Sequence, residues 1–176
     1  MPKKEEKRKV PFKNYIILLV ICLVTIFLAF SIRNRYVSYQ EYQLTIPVLK
    51  DKVYEVSTEE LDSYLIAHPD AILYVQVNSD ENSREVGKKL YKSLKKRNIV
   101  EESVYVDLSK VDKDNFYKSF NKKYGNDKYN LNNYPAVILF SEGKIREIVS
   151  KEKKNKLTID QIEQLFDEYE VDNTND

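Results

Sequence analysis

The pattern of apolar and polar positions divides the chain into an uncharged N-terminal run and a longer patterned region. Residues 15–32 carry no charged side chain. From residue 53 onward, short apolar runs alternate with segments whose apolar residues recur every three or four positions, as on one face of a helix. Strands are predicted at 53–56, 71–77, 104–108, 136–140 and 144–149, and helices beginning at Ser57, near Asn82 or Ser83, before Phe116 and at Thr158. This order, β-α-β-α-β-α-β-β-α, predicts an α/β domain with helices packed on a central mixed sheet.

Local signals mark where these elements begin and end. Ser57 and Glu60 have the Ser-x-x-Glu spacing of a capping box, which predicts a helix start. Residues 71–77 (AILYVQV) are almost continuously apolar, as is typical of a strand buried on both faces. Gly125 follows a helical pattern and is predicted to cap that helix.

A proline directly before five apolar residues is the most specific local feature. Pro135 cannot donate to a sheet ladder, so it is expected at the start of a strand, and the sequence leaves open whether the Tyr134–Pro135 bond is cis. Gly143 follows in a Ser-Glu-Gly turn, where glycine readily adopts the positive φ of a tight hairpin. These residues predict a strand and hairpin near the end of the domain.

The uncharged run at 15–32 predicts a transmembrane helix. Eighteen residues at 1.5 Å each span roughly 27 Å, close to the ~30 Å hydrocarbon core of a bilayer. Basic residues precede the run in excess of the two arginines that follow it, which places the N-terminus in the cytoplasm and residues 36–176 outside. A cleaved signal peptide has a shorter apolar run, and a lipoprotein signal would need a small residue where Ile21 precedes Cys22. We therefore expect an uncleaved anchor in a single-pass membrane protein.

The predicted organisation has five parts. They are a basic cytoplasmic tail at 1–13, a transmembrane helix at 14–32, a juxtamembrane linker with some extended structure at 33–52, a domain at 53–170 and a polar tail at 171–176. The net charge of the whole chain is +1, and the part after the basic tail is mildly acidic, which gives no reason to expect a nucleic-acid partner. Abundant lysine, asparagine and tyrosine are typical of low-GC Gram-positive bacteria.

The element order, Tyr124-Gly125 after a short helix, Tyr134-Pro135 before an apolar strand, and Gly143-Lys144 in the hairpin together resemble the thioredoxin fold. The resemblance covers residues 53–170 and implies a three-layer α/β domain. It places the two redox cysteines of that family at Asp80 and Ser83, and its buried acid at Tyr74.

Thiol chemistry needs a thiolate and a second, resolving thiol, and the single cysteine of the chain, Cys22, lies in the apolar run. We therefore expect no thiol-disulfide oxidoreductase activity. No cofactor, metal site or catalytic residue is predicted either.

The candidate binding residues are Asp80, Ser83, Tyr134 and Pro135. In a thioredoxin-like fold the loop before the proline offers unpaired backbone groups to an extended peptide, and a helix starting near Ser83 directs its N-terminal amides to the same place. Asp80 and Ser83 are expected to cap that helix rather than to bind a ligand, and Tyr134 either lines a groove or packs on its own domain.

The expected partners are the lipid bilayer and a peptide or membrane protein, as for similar small anchored proteins that accompany bacteriocin transporters. Two alternatives stay open. One is a structural spacer, and the other is an enzyme without thiols that would use Asp80, Glu81 or His68, the only histidine. His68 lies in the sequence His-Pro-Asp and is predicted to be a turn residue.

The helix predicted up to residue 97 is strongly basic. Its basic side chains are expected to form a solvated face of the helix. The alternative is that they are attracted to an anionic surface such as lipid headgroups. Residues 151–156 (KEKKNK) are expected to form a solvated loop.

Overall fold

A computed structural model describes residues 11–152 and 155–171. Residue contacts divide the chain into two compact units, one up to Gln43 and one from Leu44 onward. Most of the predicted basic tail at 1–13 and nearly all of the polar tail at 171–176 lie outside the described residues.

The N-terminal unit is one long helix, α1, over Phe12–Thr45, with no buried residue. It is long and apolar enough to cross a membrane, a property that a signal sequence would share. The helix corrects the prediction of a partly extended linker at 33–52. Residues 33–45 contain neither glycine nor proline, so nothing interrupts the helix before Pro47, which disfavours helical geometry in the preceding Ile46.

The rest of the predicted linker belongs to the second unit, here called the C-terminal unit. Lys50 and Val53 donate backbone hydrogen bonds in turns to Pro47 and Leu49, and Leu49 is fully buried in the core. The compact unit therefore starts at Leu44, earlier than the predicted boundary at residue 53.

The C-terminal unit contains a five-stranded mixed sheet. Its strands are β1 (Tyr54–Glu55), β2 (Ile72–Gln76), β3 (Ser103–Asp107), β4 (Ala136–Ser141) and β5 (Lys144–Ser150). Their order across the sheet is β1-β3-β2-β4-β5. Strands β1, β3 and β2 are parallel to one another, and β4 is antiparallel to both of its neighbours, β2 and β5. All five residues of β2 are buried, so the prediction of a strand covered on both faces is confirmed.

Helices cover both faces of the sheet and give the predicted three layers. They are α2 (Leu61–Ala67), α3 (Glu81–Lys96), α4 (Lys113–Tyr124) and α5 (Ile159–Glu168). Residues of α2 and α4 pack with Leu73 and Val75 of β2 in one core, whereas α3 and α5 pack with Ile72 and Tyr74 in the other. Alternate side chains of one buried strand thus supply two separate cores, as the period of two in a strand requires.

Several predicted local signals are confirmed. Gly143 has φ +74° in the turn between β4 and β5, and Gly125 is the C-cap of α4. The Ser57 signal is confirmed only in part. The backbone N–H of Glu60 donates to the hydroxyl of Ser57, and that hydroxyl donates to the carboxylate of Glu60, but the helix predicted to begin at Ser57 begins at Leu61, with Glu60 as its N-cap residue. Pro135 lies directly before β4, and the Tyr134–Pro135 peptide bond is cis.

Candidate functional site

Asp80 and Ser83 form the cap of α3. The carboxylate of Asp80 accepts hydrogen bonds from the backbone N–H of Ser83 at 2.7 Å and from its hydroxyl at 3.0 Å. Asp80 has the extended backbone of an N-cap residue, and Ser83 is fully buried. The predicted capping role is confirmed. Both side chains are therefore engaged with each other at the helix N-terminus.

Tyr74, on the neighbouring strand β2, contacts the first turn of α3. This side chain, where the resemblance puts a buried acid, donates a hydrogen bond from its hydroxyl to the carbonyl oxygen of Ser83 at 2.7 Å. Burial, with the nearby charge of Asp80, raises the pKa of Tyr74 well above its usual range. The phenol therefore stays protonated at physiological pH and supports the first turn of α3 instead of accepting a proton.

Lys151 connects Asp80 with Pro135. Its ammonium lies 3.4 Å from the carboxylate of Asp80, and its backbone N–H donates to the carbonyl oxygen of Pro135 at 2.9 Å. Residues 151–156 were predicted to be a solvated loop. Lys151 lies in a loop directly after β5 and is partly exposed, but it also contacts the start of α3. The structure thus brings Asp80, Ser83 and Pro135 to one end of the sheet around a lysine that the sequence pattern did not single out.

Tyr134 lies beside this group and is half-buried. Its ring packs against the core that contains α4, and the ammonium of Lys113 lies 5.8 Å from the ring centroid. Among residues 11–152 and 155–171, no hydrogen-bond partner is found for the backbone of Asn133 or Tyr134. The segment before Pro135 therefore presents free main-chain donors and acceptors next to an aromatic side chain.

Tyr117 on α4 also belongs to this neighbourhood. Its hydroxyl is buried and has no hydrogen-bond partner within the described part of the chain. Burial, together with the nearby Tyr134 and Asp114, raises the pKa of Tyr117 to about 12. Tyr117 is thus a neutral phenol close to Tyr134.

The residues considered for non-thiol catalysis are not brought together. Glu81 is exposed, with its carboxylate 3.6 Å from the ammonium of Lys156. His68 stacks on Tyr64 at 4.4 Å between ring centroids, on the α2 side of the sheet. The described residues contain no group of three or more side chains suited to a metal ion. Within residues 11–152 and 155–171, Glu81 and His68 thus have separate neighbours and form no shared cluster with Asp80.

Sequence reasoning missed a cavity of about 660 Å³ in the C-terminal unit. It lies where the parallel strands end, a common location of ligand sites in such sheets. Its lining includes Glu55, Asn78, Asp107, Ser109 and Lys110. Polar residues directly after predicted buried strands were the signal that could have found it.

The geometry defines a thioredoxin-like fold, and comparison with solved structures agrees. The chain is similar to thioredoxin f2 from Chlamydomonas reinhardtii, with 13% identity and a TM-score of 0.51, over 66% of this chain and 95% of that one. It is also similar to oxidised thioredoxin O2 from Arabidopsis thaliana, with 12% identity and a TM-score of 0.50, over 68% and 95% of the two chains.

At this level of identity the likeness shows the fold alone. No protein-family profile and no curated protein sequence matches the chain. The fold predicted from the Pro135 strand, the hairpin and the order of elements is confirmed.

Proposed function

We propose that the chain is a membrane-anchored, redox-inactive thioredoxin-like protein whose outer domain binds an extended peptide segment of a partner protein at Tyr134-Pro135. The observation that carries the proposal is the unpaired backbone of Asn133 and Tyr134 in the described structure, beside a half-buried aromatic ring. An extended peptide can pair with such a backbone as an added strand, with the aromatic ring supplying side-chain contact.

The residue inventory supports a role without redox chemistry. Residues 44–176 contain no cysteine, and the positions that would hold the thiol pair carry Asp80 and Ser83. Their side chains are engaged in capping α3, and a carboxylate or a serine hydroxyl cannot form a mixed disulfide. Binding is the activity that this end of the fold can retain.

The proposed location is the outer face of the cell membrane. The cytoplasmic side is assigned to the N-terminus by the excess of basic residues before the apolar part of α1, namely Lys3, Lys4, Lys7, Arg8, Lys9 and Lys13. The resemblance to small anchored thioredoxin-like proteins of Gram-positive bacteria fits an accessory role in export or in envelope assembly.

The experiment is site-specific photocrosslinking in intact cells. A photoreactive amino acid replaces Tyr134 in the full chain, and a matched control replaces Tyr54, an exposed tyrosine on the edge strand β1. We expect a discrete crosslinked partner from position 134 only, and we expect unlabelled protein carrying Tyr134→Ala to compete less well for that partner than the parent chain.

Two results would contradict the proposal. Equal crosslinking from both positions would indicate non-specific proximity, and no crosslink from position 134 would favour a spacer domain. Thermal unfolding of Tyr134→Ala is measured in parallel, so that loss of binding is separated from loss of folding.

A further inference from the structure

Four lysines form a continuous cationic surface on the outer domain, here called the basic surface. It consists of Lys52, Lys88, Lys92 and Lys95, all of them exposed. Positions 88, 92 and 95 are spaced four and three residues apart, so they lie in one stripe along α3. The ammonium of Lys52 lies 5.6 Å from the ring centroid of Tyr91 on the same helix, which adds it to the stripe.

Within the described residues none of these four lysines has a carboxylate partner. The acids nearest to α3 are engaged elsewhere. Glu163 of α5 pairs with Arg97 at 2.9 Å, and Glu85 pairs with Lys89 at 2.8 Å. The basic surface therefore keeps its positive charge.

The surface lies beside the segment that follows α1. The guanidinium of Arg84 donates to the carbonyl oxygen of Ile46 at 3.1 Å. A Cβ added at Gly87 would lie 2.8 Å from a methyl carbon of Val48, which shows how closely α3 approaches this segment. Lys52 is itself part of the segment. Residues next to the membrane anchor in sequence thus help to build the basic surface.

Chain length keeps this surface close to the bilayer. The uncharged run ends at Ile32, and residues 33–45 are helical, so about 20 Å of helix separates the run from Ile46. The headgroup layer itself extends roughly 5–7 Å from the hydrocarbon, and charges are felt over a further ~8–10 Å at ordinary salt. A domain of this size is roughly 30 Å or more across, which exceeds the length of this tether, so a surface on the domain can reach the headgroups.

We propose that the basic surface docks on the anionic phosphate headgroups of the bilayer that α1 spans. The inference rests on the anchoring part of the proposed function and not on peptide binding. Each lysine at an anionic membrane surface is expected to change the ratio of docked to undocked domain by a factor of ~5, so removing two changes it by ~25. Docking would hold the domain at the membrane surface and restrict the directions from which a partner can reach it.

The test is amine footprinting of the full chain in lipid nanodiscs. Acetylation rates of individual lysines are measured by mass spectrometry in discs of phosphatidylcholine alone and in discs with about one-third phosphatidylglycerol. Lys118 and Lys122, exposed on α4 across the sheet, are internal controls. We expect anionic lipid to slow labelling of Lys88, Lys92 and Lys95 at least threefold, with no change at the controls.

A pair of charge-reversed variants distinguishes an effect of the basic surface from an effect of the total charge of the protein. Lys88→Glu with Lys92→Glu is compared with Lys118→Glu with Lys122→Glu, which changes the total charge equally. We expect protection of Lys95 to be lost only in the first variant, and lost from the parent chain at 0.5 M salt. Equal behaviour of the two variants would overturn the inference.

The remaining outcomes distinguish the sources of failure. If the chain inserts into anionic discs but acetylation of Lys88, Lys92 and Lys95 is not slowed, the lipid-docking inference is overturned. Such a result does not bear on the proposed peptide binding at Tyr134. Failure to co-purify with discs overturns the anchor and the docking together. Protection by a soluble polyphosphate but not by anionic lipid would assign the surface to a free polymer and contradict the lipid assignment.

Discussion

Replacing Asp80 by alanine tests whether this residue is structural or is held ready for a ligand. The carboxylate caps α3 through two hydrogen bonds to Ser83 and pairs with Lys151 at 3.4 Å. Loss of an N-cap side chain costs about 1 kcal/mol, and loss of a negative charge at a helix N-terminus costs about 0.5 kcal/mol. The ion pair is partly exposed, so it contributes about 0.5 kcal/mol.

These contributions sum to about 2 kcal/mol of unfolding free energy. For a unit of the size of residues 44–176, each kcal/mol shifts the midpoint of thermal unfolding by roughly 4 °C, so Asp80→Ala should lower it by about 8 °C. Asp80→Asn keeps a hydrogen-bond acceptor but loses the charge and should cost about half as much. Asp112→Ala is the matched control, because Asp112 caps α4 from an exposed position and has no ion pair among the described residues. Loss of its cap and of its charge at the helix N-terminus should cost about 1.5 kcal/mol, so a decrease of about 6 °C is expected.

The assay is thermal unfolding of the full chain in detergent, followed by near-ultraviolet circular dichroism, whose signal should come mainly from packed tyrosines such as Tyr74 and Tyr105 of the C-terminal unit, since the tyrosines of α1 are exposed. Residues retained for binding often leave a protein more stable when they are removed, since they are not optimised for the fold. An unchanged or raised midpoint for Asp80→Ala, with the expected loss for Asp112→Ala, would refute the structural role of Asp80.

Three further substitutions test contacts around the site and its scaffold. Asn82→Ala removes hydrogen bonds of 2.8 and 3.0 Å to the buried backbone of Leu157 and should cost about 2–4 kcal/mol in urea unfolding, so an unchanged midpoint would contradict this estimate. Tyr74→Phe removes one hydrogen bond to Ser83 and should cost about 1 kcal/mol; a loss equal to that of Asn82→Ala would refute a single neutral bond. The pKa of Asp62 is lowered by a hydrogen bond from a lysine on α4, so its contribution is present at pH 7 and disappears as the pH falls through that lowered value. Asp62→Asn should therefore cost under ~1 kcal/mol at pH 7 and nothing in strong acid, and a difference that persists in acid would rule out this origin.

The order of elements was predictable because it depends on local patterns. A continuous apolar run identified β2, and glycine in a short turn identified the hairpin after β4, where Gly143 has a positive φ. The linker prediction failed for a local reason as well. Pro47 disfavours helical geometry only in the residues directly before it, and residues 33–45 contain nothing that would end α1 earlier.

The contacts that shape the candidate site were less predictable, because they join residues far apart in the chain. Lys151 reaches Asp80 across 71 positions, and no pattern around either residue indicates the other. Tyr74 and Ser83 are closer in sequence, yet their hydrogen bond depends on how α3 packs over β2. Sequence placed the candidate residues at one end of the sheet but could not tell which of them were already paired.

That distinction decides what kind of ligand the site can accept. The N-terminus of α3 would attract an anion if it were open, but the carboxylate of Asp80 already accepts from the backbone N–H of Ser83 there, and Lys151 balances that charge. The main chain of Asn133 and Tyr134 has no hydrogen-bond partner in the described structure. Main-chain groups recognise another extended main chain without regard to charge. The arrangement therefore favours an extended peptide over a small anionic ligand, with any selectivity supplied by the ring of Tyr134 and its surroundings.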